Sequence, residues 1–232
     1  MVTTMRKILN DLLNLFFPKL CMICQTPLTG GEEHICLKCI CDLPRTGHDF
    51  RKENPATYLF AGKVPVYRAA AFLHYEKGGH VQQLIHSLKY HDNREIGFRL
   101  GRMAGLNYRQ AFLTDCPDLL LPVPLHPKKR KQRGYNQSEW IARGLNSVLK
   151  LPIDTTSLRR IKETDTQTSR QTYERWQNVQ DIFSVADHKE LEGKHILLID
   201  DVITTGSTIG ACAEALLAIP EVRVSVLAIA IA

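Results

Sequence analysis

The residues best suited to chemistry lie in one short segment, Ile196 to Thr208. An apolar run, residues 195–199, stops at two carboxylates, Asp200 and Asp201, and a loop of small hydroxyl residues with one glycine then opens a predicted helix. The loop residues are Thr204, Thr205, Gly206, Ser207 and Thr208. A helix N-terminus and hydroxyl donors hold phosphate, while carboxylates accept hydrogen bonds from sugar hydroxyls and help to hold Mg2+. The segment therefore predicts a site for a phosphorylated sugar.

A plain strand-turn-helix junction is the alternative interpretation of this segment. It would explain the Thr-Gly-Ser-Thr stretch as a turn and helix cap, but not the two acids directly before it at the end of a buried strand. Open α/β sheets place their ligands at the carboxyl ends of strands, where these acids lie. Adjacent residues of a strand point to opposite sides, so Asp200 and Asp201 need not do the same job.

Four cysteines near the N-terminus form two Cys-x-x-Cys pairs. Cys21 and Cys24 make the first pair, and Cys36 and Cys39 follow after the 11 residues 25–35. Paired thiolates at this spacing suit tetrahedral coordination of structural Zn2+, with Cys41 and His34 as spare ligands. A redox dithiol is the alternative, although one redox site needs only one pair. The two remaining cysteines, Cys116 and Cys212, are expected to be buried thiols.

A basic stretch follows the apolar run Leu119 to Val123. Five of the six residues from Lys128 to Arg133 are basic, and we interpret the stretch from residue 126 as a long loop. The residues proposed to contact a diphosphate or a nucleic-acid backbone are Lys128, Lys129, Arg130 and Arg133. A solvated basic loop is the other interpretation. A second polar stretch, Arg159 to Asn178, predicts either a lid over a site or a surface excursion.

Apolar runs at residues 66–75, 119–123, 195–199 and 222–231 alternate with helical patterns at 81–90, 98–112, 138–149 and 208–218. This alternation predicts an α/β domain with a parallel sheet flanked by helices. We expect an N-terminal helix (Met5 to Phe17) and zinc ribbon over residues 1–60 and the α/β domain over 61–232. No run is long enough to span a bilayer, and the absence of a signal sequence predicts a reducing, cytoplasmic compartment. The net charge of +6 favours anionic partners.

The segment Ile196 to Thr208 resembles the ribose-phosphate motif of type I phosphoribosyltransferases, and it lacks the lysine of a Walker A loop. The order Pro-Val-Pro-Leu-His (122–126), Arg-Gly-Tyr-Asn-Gln-Ser (133–138) and Leu-Ile-Asp-Asp-Val-Ile-Thr-Thr-Gly (198–206) resembles the ComF (GntX-like) family. Members of that family combine a zinc ribbon with a phosphoribosyltransferase-like domain and are linked to DNA uptake in natural competence. One departure is the basic stretch, which stands where many phosphoribosyltransferases have a compact pyrophosphate loop.

The resemblance implies the site's roles. Asp200 and Asp201 would hold the ribose hydroxyls and be the catalytic acids of an active enzyme, and residues 204–208 would hold the 5′-phosphate. The expected ligand is phosphoribosyl diphosphate, or a related ribose phosphate, with Mg2+. The alternative is a non-catalytic protein that binds single-stranded DNA through the basic stretch and the zinc ribbon. Aromatic residues for base stacking are few there, with Tyr135 in the stretch and Trp140 nearby.

Overall fold

The computed structural model describes residues 17–90, 93–162, 182–186 and 188–232. The predicted N-terminal helix therefore lies outside the described residues, except for its last residue, Phe17. Most of the polar stretch after Arg160 also lies outside them. The helices, in chain order, are α1 (Leu37–Cys41), α2 (Pro55–Tyr58), α3 (His80–Tyr90), α4 (Arg94–Thr114), α5 (Pro127–Arg133), α6 (Gln137–Leu149) and α7 (Ser207–Leu217). The strands are β1 (Arg68–His74), β2 (Leu119–Pro122), β3 (Leu158–Arg160), β4 (Phe183–Val185), β5 (His195–Ile203) and β6 (Arg223–Ile231).

Four strands form one parallel sheet in the order β1-β6-β5-β2. Strands β3 and β4 pair separately and antiparallel. The predicted fold class, a parallel sheet flanked by helices, is confirmed. No helix in the described part of the chain combines the length and the apolarity needed to cross a membrane.

Both faces of the sheet are buried, which explains why its strands are continuously apolar rather than alternating. In β6, Leu227 and Ile229 pack toward α3, α4 and α6, whereas Val224 and Val226 join the other core with α7. The cysteine segment shares the first of these cores, through Ile23 and Ile35 among other residues. The predicted division of the chain at residue 60 stays a prediction.

Helices α4 and α6 cross with their backbones in contact. A Cβ atom on Gly101 would overlap the carbonyl oxygen of Ile141, and one on Gly144 would overlap that of Phe98. Two glycines early in α4 weaken its helical pattern in the sequence, and one of them, Gly101, is needed for this approach. The crossing fixes α6, whose first turn reaches the site described below.

We expect Gly101→Ala to destabilise the fold by about 3 kcal/mol, because the added methyl group would force two backbones apart. Urea unfolding measures this loss. Gly105→Ala is the matched control on the same helix, since its Cβ would meet a side-chain atom of Val148 at 3.3 Å, and helix propensity favours alanine by about 1 kcal/mol. Equal stability of the two variants would contradict the close crossing.

Two expectations from the sequence are wrong. The basic stretch is not a loop: residues 127–133 form α5, which begins at Pro127 after the His126 side chain caps it and ends at Gly134 with φ +82°. Proline at the first position and glycine after the last are typical helix boundaries. Cys116 is exposed rather than buried, whereas Cys212 is buried as expected.

Candidate functional site

Two adjacent acids lie near the carboxyl end of β5. Asp201 is buried and Asp200 half-buried, and both line one cleft of about 540 Å³. The two acids thus differ in burial, although both face the same cleft. The backbone N–H of Asp201 donates to Asp200 Oδ1 at 2.9 Å. The cleft therefore contains a concentrated pair of acids.

Three side chains from other elements contact these acids. From α3, Lys89 Nζ lies 2.9 Å from Asp201 Oδ2. From the first turn of α6, Gln137 Nε2 donates to Asp201 Oδ2 at 3.0 Å, and Ser138 Oγ donates to Asp200 Oδ1 at 3.1 Å. Each carboxylate thus has a partner from the start of α6, and a helix N-terminus itself favours negative charge.

The crowding of charge shifts two pKa values. Burial, and then the charge of Asp201, raise the pKa of Asp200 to about 7. Burial by itself would lower the pKa of Lys89, but the neighbouring charges of Asp201 and Asp200 raise it overall. Lys89 is therefore charged near neutral pH, while Asp200 titrates in that range. A carboxyl pair in this state gains from a cation or a hydroxyl donor placed between its members.

The hydroxyl loop connects β5 to α7. Gly206 has φ +78° and its Cβ position lies 3.2 Å from the Phe60 ring, so both the backbone conformation and the space favour glycine. Thr205 Oγ1 and Ser207 Oγ are hydrogen-bonded at 2.8 Å and fix the turn. Thr204 and Thr208 are exposed and line the cleft, whereas the three residues between them do not. The N-terminus of α7 and two hydroxyl groups thus lie beside the acid pair.

The basic residues of α5 are placed differently. The residues that line the cleft do not include Lys128, Lys129, Arg130 or Arg133. Arg130 forms an ion pair with Glu139 at 3.2 Å, and Arg133 donates to Gln137 Oε1. Arg133 therefore acts on the acid pair through Gln137. Tyr135, the aromatic residue considered for base stacking, is buried and donates its hydroxyl to the Leu88 carbonyl.

Sequence reasoning missed the roles of three residues: Lys89, Gln137 and Ser138. Gln137 and Ser138 had a readable signal, because they follow Asn136, whose side chain caps α6. An N-terminal cap directly after a strand and a basic stretch marks a helix that begins at the sheet edge. Lys89 had no such signal in the sequence, because it is a single basic residue in the last turn of an amphipathic helix.

The four cysteines predicted to bind a metal form one cluster in the structure. The Sγ atoms of Cys21, Cys24, Cys36 and Cys39 all lie within 4.8 Å of one another, whereas Cys41 and His34 are not members of this cluster. Backbone N–H groups of Cys36 and Cys39 point at the sulfurs of Cys21 and Cys36, at 3.4 and 3.5 Å. Such bonds stabilise thiolates.

The cluster fits a tetrahedral metal. Tetrahedral bonds of about 2.3 Å place two sulfurs roughly 3.8 Å apart, and Cys24 Sγ lies 3.7 Å from Cys36 Sγ. That separation is far longer than a disulfide, and all four cysteines are free thiols. Hydrogen bonds from Thr26 lower the pKa of the exposed Cys24 thiol to about 6. The four sulfurs can therefore hold one metal ion with no position left open.

Comparison with known proteins gives one family match over part of the chain and several relatives. Residues 136–231 match the family described as "Phosphoribosyl transferase domain". The chain is 29% identical over 86% of its length to 91% of "DNA utilization protein YhgH" of Shigella flexneri. It is 35% identical over 61% of its length to 64% of "Competence protein F" of Haemophilus influenzae. It is also 25% identical over 86% of its length to 78% of "Competence protein ComFC" of Bacillus subtilis.

Proposed function

Since this chain belongs to the ComF family and carries a phosphoribosyltransferase-like domain, we propose that its cleft binds phosphoribosyl diphosphate or a related ribose phosphate. One observation carries the proposal: the acid pair and the N-terminus of α7 line the same cleft. Ribose hydroxyls donate to Asp200 and Asp201, and the 5′-phosphate accepts from the α7 backbone and from the hydroxyls of Thr204 and Thr208.

The residues around the acids prepare them for this ligand. Lys89 balances the charge of Asp201, and Gln137 and Ser138 hold the carboxylates in place. The pair's carboxylate oxygens fit Mg2+, which neutralises a diphosphate that would otherwise repel them. In a transfer reaction the chain's own contribution would be placement of charge around the ribose and the departing phosphates. Arg133, which acts through Gln137, is best placed of the α5 residues to reach a diphosphate at the margin of the cleft.

Calorimetric titration of phosphoribosyl diphosphate with Mg2+ tests the proposal, and we expect micromolar binding that strengthens as pH rises. Asp200, with a pKa of about 7, is mostly protonated near pH 6 and mostly ionised near pH 8. If the ionised form binds, affinity rises about tenfold between these pH values. The ligand's own phosphates also change their charge with pH. Asp200→Asn is the control, because any pH dependence of binding that remains in this variant comes from those phosphates. Absence of binding at both pH values would refute the proposal.

Single-stranded DNA is the second candidate ligand, and the position of α5 favours it. Its basic residues at 128–130 are not among those lining the cleft, and several relatives are named for DNA utilization. An oligonucleotide added to the same titration separates the candidates. Binding of the strand that leaves the affinity for phosphoribosyl diphosphate unchanged would assign α5 to DNA and the cleft to the sugar phosphate.

For the cysteine cluster, we propose structural Zn2+. Four sulfur ligands without an open position are typical of sites that hold a fold together rather than catalyse. The metal would stabilise a segment that has one short helix, α1, and few backbone pairs of its own. A place in DNA uptake during competence follows, as a proposal, from the relatives' names.

A further inference from the structure

The acid pair has a cation of its own, Lys89. Its Nζ atom lies 2.9 Å from Asp201 Oδ2, and its side chain, which is 26% exposed, lines the same cleft as the two acids. The Asp201 side chain is 6% exposed, so solvent ions screen this ion pair poorly. A positive charge is therefore already present in a cleft whose two carboxyl groups would otherwise favour a bound metal ion.

The position of Lys89 follows from the packing of α3. The buried face of this helix includes Leu84, Ile85 and Leu88, and it packs in the core between the sheet and α4. At the end of α3 the Leu88 carbonyl accepts from the Tyr135 hydroxyl, which ties this end to the segment just before α6. A helix C-terminus also favours positive charge. Lys89, in the last turn, is therefore held beside the acids by elements that do not themselves contact a ligand.

Hydrogen bonds orient both carboxyl groups around the ion pair. Asp201 Oδ2 accepts from Gln137 Nε2 in addition to its contact with Lys89. Asp200 Oδ1 accepts from Ser138 Oγ and from the Asp201 N–H. A carboxylate oxygen has two lone-pair sites, so these two oxygens are fully used. Within the described residues no hydrogen bond reaches the other oxygen of either acid, and one acceptor oxygen on each therefore remains for a ligand.

A second cation acts on the amide rather than on the acids. Arg133 donates to Gln137 Oε1, so Nε2 of the same amide is turned toward Asp201. Arg133 and Lys89 therefore do not compete for the same oxygen. In the part of the chain that the structure describes, Lys89 is the basic side chain that contacts the acid pair directly.

We propose that Lys89 is the resident cation of the acid pair and lets the cleft bind ribose 5-phosphate without a divalent metal ion. The inference rests on the proposed function for its ligand and names the positioning residue that prepares the acids for it. Lys89 offsets one carboxylate charge, which reduces the repulsion between the acid pair and the 5′-phosphate. It also leaves one oxygen on each acid for two adjacent ribose hydroxyls. Mg2+ is then needed for the additional charge of a diphosphate.

Calorimetric titration of ribose 5-phosphate, with Mg2+ or with EDTA in its place, tests this role. We expect the Kd of wild type to differ less than about threefold between the two conditions. Lys89→Met keeps a long unbranched side chain but removes the charge, so binding in EDTA should weaken by about 30-fold. Mg2+ should restore most of this loss, because a divalent ion can supply the positive charge that the variant lacks.

Two further variants separate the charge of Lys89 from its packing. Lys89→Arg keeps a positive charge and should recover much of the binding in EDTA that Lys89→Met loses. Lys77→Met removes an exposed positive charge outside the cleft, just before α3, and should bind like wild type in both conditions. A purely structural role for Lys89 would weaken binding equally with and without Mg2+, whereas a cation for the acids makes binding in Lys89→Met depend on the metal ion.

The outcomes separate this inference from the proposed function. The role of Lys89 is overturned, and the proposed function stands, if wild type binds ribose 5-phosphate only with Mg2+ or if Lys89→Met changes binding equally in both conditions. If neither ribose 5-phosphate nor phosphoribosyl diphosphate binds in either condition, both proposals fail. The comparison of wild type with and without Mg2+ needs no variant, so it decides the question even if Lys89→Met does not fold.

Discussion

Asp201→Asn is expected to weaken the binding of phosphoribosyl diphosphate with Mg2+ by about 100-fold or more. The carboxylate of Asp201 is buried, and its negative charge is what a Mg2+ ion and the ribose hydroxyls would contact. Asparagine keeps the shape of the side chain, and its amide oxygen can still accept from Gln137, whereas the negative charge and one acceptor oxygen are lost. Lys89 would then lack its counter-charge at 2.9 Å and repel the cation further. Calorimetric titration at fixed Mg2+ measures the change.

The effect of Asp200→Asn on stability distinguishes a binding residue from a structural one. Asp200 has a folded-state pKa raised to about 7, so the folded protein holds its proton more tightly than the unfolded chain does. Stability is therefore lost as pH rises through about 7. Near pH 8 the variant should melt about 3–6 °C above wild type and bind the ligand at least about 100-fold more weakly. Asp42→Asn, at an exposed aspartate, is the control. Unchanged affinity in both acid variants would refute the site.

The central part of this site could be predicted because its parts are consecutive in sequence. A buried strand, two acids, a glycine and a helix start follow one another from Ile196 to Thr208, so local rules place them together. The cysteine cluster could be predicted for a similar reason, since each Cys-x-x-Cys pair fixes two ligands on one turn. Both signals depend on spacing rather than on packing.

The partners of the acids could not be predicted, because tertiary packing supplies them. Lys89 lies 112 positions before Asp201 in the chain, and its contact depends on how α3 lies on the sheet. Gln137 depends on the crossing of α4 and α6, which two glycine contacts set. Sequence periodicity gives the buried face of each helix but not which residue at its end reaches a given strand.

The prediction of a loop at the α5 residues was wrong for a different reason. Five of the six residues 128–133 are basic, and the stretch was interpreted as a loop. Repulsion between like charges does weaken an isolated helix. The cap from His126, Pro127 at the first position and Gly134 at the end outweigh that repulsion. Glu139 offsets the charge of Arg130 from the next helix, through an ion pair at 3.2 Å. The capping residues were visible in the sequence, whereas the ion pair was not.

Cys24→Ser is expected to release the metal and to lower the melting temperature by about 10 °C. The Cys24 side chain is exposed, so its packing contributes little and a large loss must come from the metal. Structural zinc holds small modules folded, and its loss would unfold residues 17–43. Because Ile23 and Ile35 belong to the same core as α4, part of that core would become exposed to water. Metal content and scanning calorimetry measure the two effects.

Cys41→Ser is the matched control, because Cys41 is also exposed and lies outside the cluster. It should keep one metal per chain and melt with wild type. Cys21→Ser should lose the metal as Cys24→Ser does and fall further in stability, since Cys21 is fully buried and its sulfur also accepts from the Cys36 N–H. The cluster would be shown to be a set of ordinary thiols if purified wild type contained no metal and Cys24→Ser melted with Cys41→Ser. The order wild type, Cys24→Ser, Cys21→Ser in stability would instead separate the contribution of the metal from that of packing.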